Sequence, residues 1–79
     1  VVVCLPNFLH LPASRAALEA GRHVLCEKPP TLTLEEMVVL RDLARERRRT
    51  YAFGRQFRFS SPYLAARRVV AEGSLGRIY

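Results

Sequence analysis

The sequence has 79 residues, enough for one small domain, but a chain this short buries only about 60% of its unfolded surface, so an isolated fold is marginal. Hydrophobic content of 49% with 25% charged residues excludes disordered and fibrous classes, and no apolar run approaches the roughly 18 residues of a membrane span. The net charge of +6 raises nucleic-acid binding, but Arg41, Arg45, Arg47, Arg48 and Arg49 crowd one helix end, where cations complement the macrodipole, and no stacking aromatics interleave with them.

In chain order, Val1 to Leu5 is a β-branched, apolar run stopped at Pro6-Asn7, which predicts a strand buried on both faces. A helix follows, with Pro12 in its first turn and Gly21 placed for a left-handed C-terminal cap. His23 to Cys26 is a second short strand, closed by the rigid pair Pro29-Pro30. Cys4 and Cys26 lie in these apolar runs without metal-type spacing and read as two buried thiols, in keeping with a reducing cytoplasm. Thr33 followed by Glu36 predicts a capping box, with Leu32 stapled onto Met37, and the second helix runs to about Arg48. Its apolar positions Met37, Leu40, Leu43 and Ala44 keep helical spacing. A third strand is expected from Thr50 to about Phe59, with Phe53, Phe57 and Phe59 on one buried face and Gly54 permitting close approach of a ligand or backbone. Ser61-Pro62 opens a last helix that Gly73 ends.

The order strand, helix, strand, helix, strand, helix argues for an α/β fold with three parallel strands in sequential order, the second half of a doubly wound Rossmann-type sheet. The apolar opening and the apolar start at Ile78-Tyr79 read as the cut ends of a longer protein. In doubly wound folds ligands lie outside the carboxyl ends of the strands. Here those ends are Pro6-Asn7, Glu27-Lys28-Pro29 and Gln56-Phe57-Arg58. An acid and a base side by side, pinned by a proline after a buried strand, make Lys28 the first catalytic candidate: its ammonium can hydrogen-bond a hydroxyl and favour a developing alkoxide. The bond before Pro29 is also a candidate for the cis form. Blander readings stand beside these. Lys28 could be solvated at a strand end, Asn7 could bond its own backbone, His10 could be a helix-start histidine, and Arg58 could pair with a carboxylate elsewhere.

Four stretches, Leu5-Pro6-Asn7-Phe8-Leu9-His10, Ala20 to Pro29 (AGRHVLCEKP), Arg58-Phe59 and Glu72 to Ile78 (EGSLGRI), together resemble the Gfo/Idh/MocA oxidoreductases, named for glucose-fructose oxidoreductase and inositol dehydrogenase. The long second stretch is the specific one; P-N-x-x-H or R-F alone would be weak. Pro30 departs from the small or aliphatic residue often found there.

The resemblance implies a two-domain, homo-oligomeric enzyme that moves hydride between NAD or NADP and a hydroxyl or carbonyl carbon of a sugar, cyclitol or polyol, with neither nucleic acid nor membrane as partner. It places Pro6, Asn7, His10, Glu27, Lys28, Pro29 and Gln56 at the cofactor, and Lys28 and Arg58 at the substrate. Residues 1–60 would be the second half of the dinucleotide-binding domain, and residues 61–79 a linking helix and the start of the substrate domain. The glycine-rich first turn and the later Asp and His used for proton transfer would lie elsewhere in the parent, leaving this stretch inactive alone. The competing function is a nucleotide-binding regulatory protein that keeps the fold without turnover.

Overall fold

A computed structural model describes residues 1–79. Strands β1 (Val2–Val3), β2 (Val24–Cys26) and β3 (Tyr51–Phe53) form one parallel sheet in the order β1-β2-β3. Val2 pairs with Leu25 and Leu25 with Ala52, so the sheet has a definite register. Helix α1 (His10–Glu19) joins the first two strands, α2 (Leu34–Glu46) joins the next two, and α3 (Ser61–Ala71) follows the sheet. This is the expected alternation.

Because side chains alternate across a strand, the sheet has two unlike faces. Val3, Val24 and Cys26 point into the core, where they meet Leu18 of α1 with Leu40 and Ala44 of α2; Tyr51 and Phe53 pack at its edge. On the opposite face Val2, Leu25 and Ala52 are exposed. The expected two-sided burial of Val1 to Leu5 is therefore corrected: Val2 is 68% exposed because α1 and α2 cover the same face of the sheet. Cys4 shares this fate and is an exposed thiol, whereas Cys26 is buried as expected.

Helix α1 stops, and α2 starts, as the sequence dictates. Gly21 takes φ +71° after α1, which lets the Arg22 N–H reach the Ala17 carbonyl at 2.9 Å. At the start of α2 the Thr33 hydroxyl accepts the Glu36 N–H at 3.3 Å, while the Glu36 carboxylate takes the Leu32 N–H at 2.8 Å, one residue earlier than a capping box would place it. Leu32 remains 59% exposed. Past the end of α2, Arg48 adopts φ +52°, and Arg49 donates through Nε to the Gly21 carbonyl at 2.6 Å, tying one helix end to the other.

The third strand is shorter than its sequence implies. The Gly54 N–H makes a last ladder bond to the Cys26 carbonyl at 2.9 Å. Beyond Cys26 the neighbouring chain turns away through Glu27-Lys28-Pro29-Pro30, and a strand with no partner cannot continue. Gln56–Phe59 instead forms a 3-10 turn, leaving Phe57 and Phe59 63% and 77% exposed rather than on a buried face. Ser60 rather than Ser61 occupies the N-cap of α3, which packs only on this turn and projects from the body, giving overall extents of 48 × 22 × 20 Å. Gly73 follows α3 at φ +72°. No helix is long and apolar enough to cross a membrane.

Candidate active site

The carboxyl ends of the three strands lie side by side, and the turn after β2 is the most elaborate of the three. Its N-terminal side is pinned to β1 by the Glu27 N–H, which donates to the Val3 carbonyl at 2.9 Å. Lys28 comes next, exposed, and the Lys28–Pro29 peptide bond is cis. The Lys28 N–H donates to Glu27 Oε2 at 3.0 Å, folding the carboxylate back over the turn. That carboxylate lies against Gly54: a Cβ built there would stand 3.3 Å from Glu27 Oε2 and 3.5 Å from Gln56 Oε1. The close approach expected at Gly54 is thus made by an acidic side chain.

Beneath the turn one buried and one half-buried side chain reach its carbonyls. His10 is fully buried; its Nδ1 lies 2.7 Å from the Pro29 carbonyl oxygen and its Nε2 2.8 Å from that of Leu5. A carbonyl only accepts, so a neutral imidazole satisfies one of these contacts and an imidazolium both. From β3 the Tyr51 hydroxyl donates to the Pro30 carbonyl at 3.3 Å. Burial, reinforced by the neighbouring Cys26 thiol, pushes the Tyr51 phenol up to about 12. The buried Ser14 hydroxyl stands beside this tyrosine without completing a hydrogen bond.

Outside the turn is an open cleft of about 670 Å³, lined by Lys28 and Pro30 on one side and by Phe53 to Arg58 with Tyr63 on the other. Its wall is aromatic: Phe57 and Tyr63 stack with centroids 5.7 Å apart, and the Arg55 guanidinium sits 5.7 Å over the Phe53 ring. Such faces suit the C–H surface of a ring or a flat heterocycle, while the ammonium, guanidinium and carboxamide groups can hold oxygens. The cleft brings together Lys28, Gln56 and Arg58, with Glu27 behind them against Gly54. Pro6 and Asn7 are exposed beyond β1, outside the cleft lining, and His10 lies inside the body. Arg55, Tyr51 and Tyr63 were not singled out from the sequence. Tyr63 could have been found from its place in the first turn of α3, beside the Gln56–Phe59 turn.

Comparison with known proteins shows the family to which the chain belongs. The model of the oxidoreductase family with an NAD-binding Rossmann fold, GFO_IDH_MocA, matches residues 1–55. The D-glucoside 3-dehydrogenase of Escherichia coli is 42% identical over 79 residues, all of this chain and 22% of that protein. The dTDP-3,4-didehydro-2,6-dideoxy-alpha-D-glucose 3-reductase of Streptomyces violaceoruber is 42% identical over 99% of this chain and 23% of its own. Among solved structures, an inositol dehydrogenase homolog from Azotobacter vinelandii, complexed with NADH and myo-inositol, superposes with a TM-score of 0.89 at 42% identity, over 99% of this chain and 21% of that one. The chain therefore spans about a fifth of the length of the relatives it matches.

Proposed function

Since this chain belongs to the Gfo/Idh/MocA family of NAD-binding oxidoreductases, we propose that residues 1–60 form the second half of the dinucleotide-binding domain of an enzyme that oxidises or reduces a sugar, cyclitol or related polyol. Residues 61–79 then lead into its substrate domain. One observation carries the reading: Lys28 stands exposed at the carboxyl end of β2, on the lip of the cleft, and none of the molecule's three ion pairs engages it.

The donor set fits the nicotinamide-ribose end of NAD or NADP. Glu27 offers a carboxylate for ribose hydroxyls, and the bare Cα of Gly54 leaves room for that carboxylate where a Cβ would crowd it. Asn7 and Gln56 supply carboxamides, with Pro6 and Pro29 shaping the turns that carry them. The cofactor, when bound, supplies or receives the hydride. The Lys28 ammonium holds the reacting oxygen of the substrate and favours the charge that develops on it as its proton leaves. Arg58, across the cleft, is placed to hold a more distant oxygen of the same substrate. The aromatic wall of Phe57 and Tyr63 suits the apolar face of a sugar or cyclitol ring.

The test is steady-state kinetics on the full-length protein. Lys28→Ala should lower turnover about 10² to 10³-fold, comparable to loss of one oxyanion donor, with a smaller change in cofactor affinity. Lys28→Arg should rescue poorly, because a bulkier, forked guanidinium keeps the charge but cannot set it at the same point beside the reacting oxygen. Near-normal turnover in Lys28→Ala would assign the lysine to a solvated strand end. Cofactor binding without turnover in the unmodified protein would identify a regulatory protein of the same fold.

A further inference from the structure

Lys28 is followed by two prolines, and neither has an N–H to donate. The turn's remaining handles in that stretch are the carbonyl oxygens of Pro29 and Pro30. Both are held from inside the molecule by side chains distant in sequence: His10, from the first turn of α1, lies 2.7 Å from the Pro29 oxygen, and Tyr51 of β3 donates to the Pro30 oxygen at 3.3 Å. His10 also lies 2.8 Å from the Leu5 carbonyl, so its ring bridges the chain beyond β1 and the turn beyond β2.

We infer that His10 and Tyr51 are positioning residues that hold Lys28 at the cleft by gripping the diproline from below, and that His10 serves the site through this turn rather than by touching a cofactor. His10 has 0% of its surface exposed and both ring nitrogens are occupied by backbone carbonyls, leaving none for a ligand. Tyr51 is half-buried, and its hydroxyl is likewise turned inward to Pro30. The two side chains come from different elements flanking the turn, so the grip constrains its tilt as well as its height. An ammonium at a reacting oxygen needs that constraint, since a misplacement of about 1 Å can cost about 10²-fold in rate. The inference rests on the reading of Lys28 as the group at the reacting oxygen.

Two substitutions in the full-length protein test it. Tyr51→Phe deletes one donor and keeps the ring; His10→Gln keeps a polar side chain but loses the rigid ring whose two nitrogens span the Pro29 and Leu5 carbonyls. His10→Gln should lower kcat about 10 to 100-fold, and Tyr51→Phe about threefold, with KM and cofactor affinity changed by less than about threefold. The deciding measurement repeats both in a Lys28→Ala background, where residues acting through the lysine should lose their effect, to within about twofold. An undiminished loss there overturns the inference. Amide hydrogen exchange supplies a readout independent of activity: the Lys28 N–H should exchange about tenfold faster in His10→Gln while Leu18 and Leu40 amides keep their protection. Faster exchange at Lys28 alone supports the grip even if Lys28→Ala proves fully active, which would sink only the catalytic reading. Unchanged exchange at Lys28, or equal acceleration throughout the core, overturns it. Should His10→Gln fail to fold, Tyr51→Phe carries the same two measurements.

Discussion

At the scale of single residues, Gly54 shows how little space separates the end of β3 from the turn that carries Lys28. A methyl group there would meet Glu27 Oε2 at 3.3 Å, so the carboxylate must yield by a few tenths of an ångström. Gly54→Ala should therefore leave the melting temperature nearly unchanged while reducing turnover several-fold, on the order of 1 kcal/mol in the barrier; steady-state kinetics beside a thermal melt checks both. Tyr51 makes a different prediction. Its folded-state value of about 12 lies above the ordinary phenol near 10, so its contribution to stability is intact below pH about 10 and is lost as pH rises toward 12. Alkaline unfolding followed by circular dichroism should show that loss, and Tyr51→Phe should remove it. The turn that carries Glu27 and Lys28 was legible in the sequence because an apolar run closed by two prolines is a local signal. The roles of His10 and Tyr51 were not, because each depends on a carbonyl 19 or 21 residues away in the chain.

Among the elements, α2 is the one whose beginning is most fully written in sequence. Thr33 caps it, and the Glu35 carboxyl is held below its ordinary value by its own backbone N–H and the Thr33 hydroxyl. Thr33→Ala should cost about 1 kcal/mol, read as a lower midpoint in denaturant without a change of slope. Leu40, fully buried between α2 and the sheet, should cost about 2–5 kcal/mol as Leu40→Ala, enough to unfold a body with only six buried hydrophobic residues. The strands were legible as apolar runs, but their ends were not. Alternating phenylalanines suggested that β3 runs on past Phe53, yet a strand lasts only as long as its neighbour, and β2 gives way to a diproline turn. Residues 56–59 accordingly close on themselves as a 3-10 turn, and their aromatics line a cleft instead of a core. Burial of Val2 was misjudged for a related reason: an apolar run shows that a face can be covered, not which helix covers it.

Across the whole molecule, the sequential parallel order β1-β2-β3 followed from alternation alone, because short connections and helical crossovers leave few other arrangements. What alternation could not foretell was the one-sidedness of the layering and the projection of α3. Residues 1–79 contain no glycine-rich turn to receive a pyrophosphate, so the chain by itself should bind NAD or NADP far more weakly than micromolar; calorimetric titration is the check, and micromolar affinity would contradict the proposed division of the site. The bare face of Val2, Leu25 and Ala52 has a thermodynamic consequence of its own. Unfolding raises heat capacity in proportion to the apolar surface newly wetted, about 1 kcal/mol/K for an average globular chain of 79 residues. Here one side of the sheet is wet already. The heat-capacity step of this chain should fall short of that average by the share such a face would contribute; scanning calorimetry measures it directly, and a full-sized step would contradict the one-sided layering.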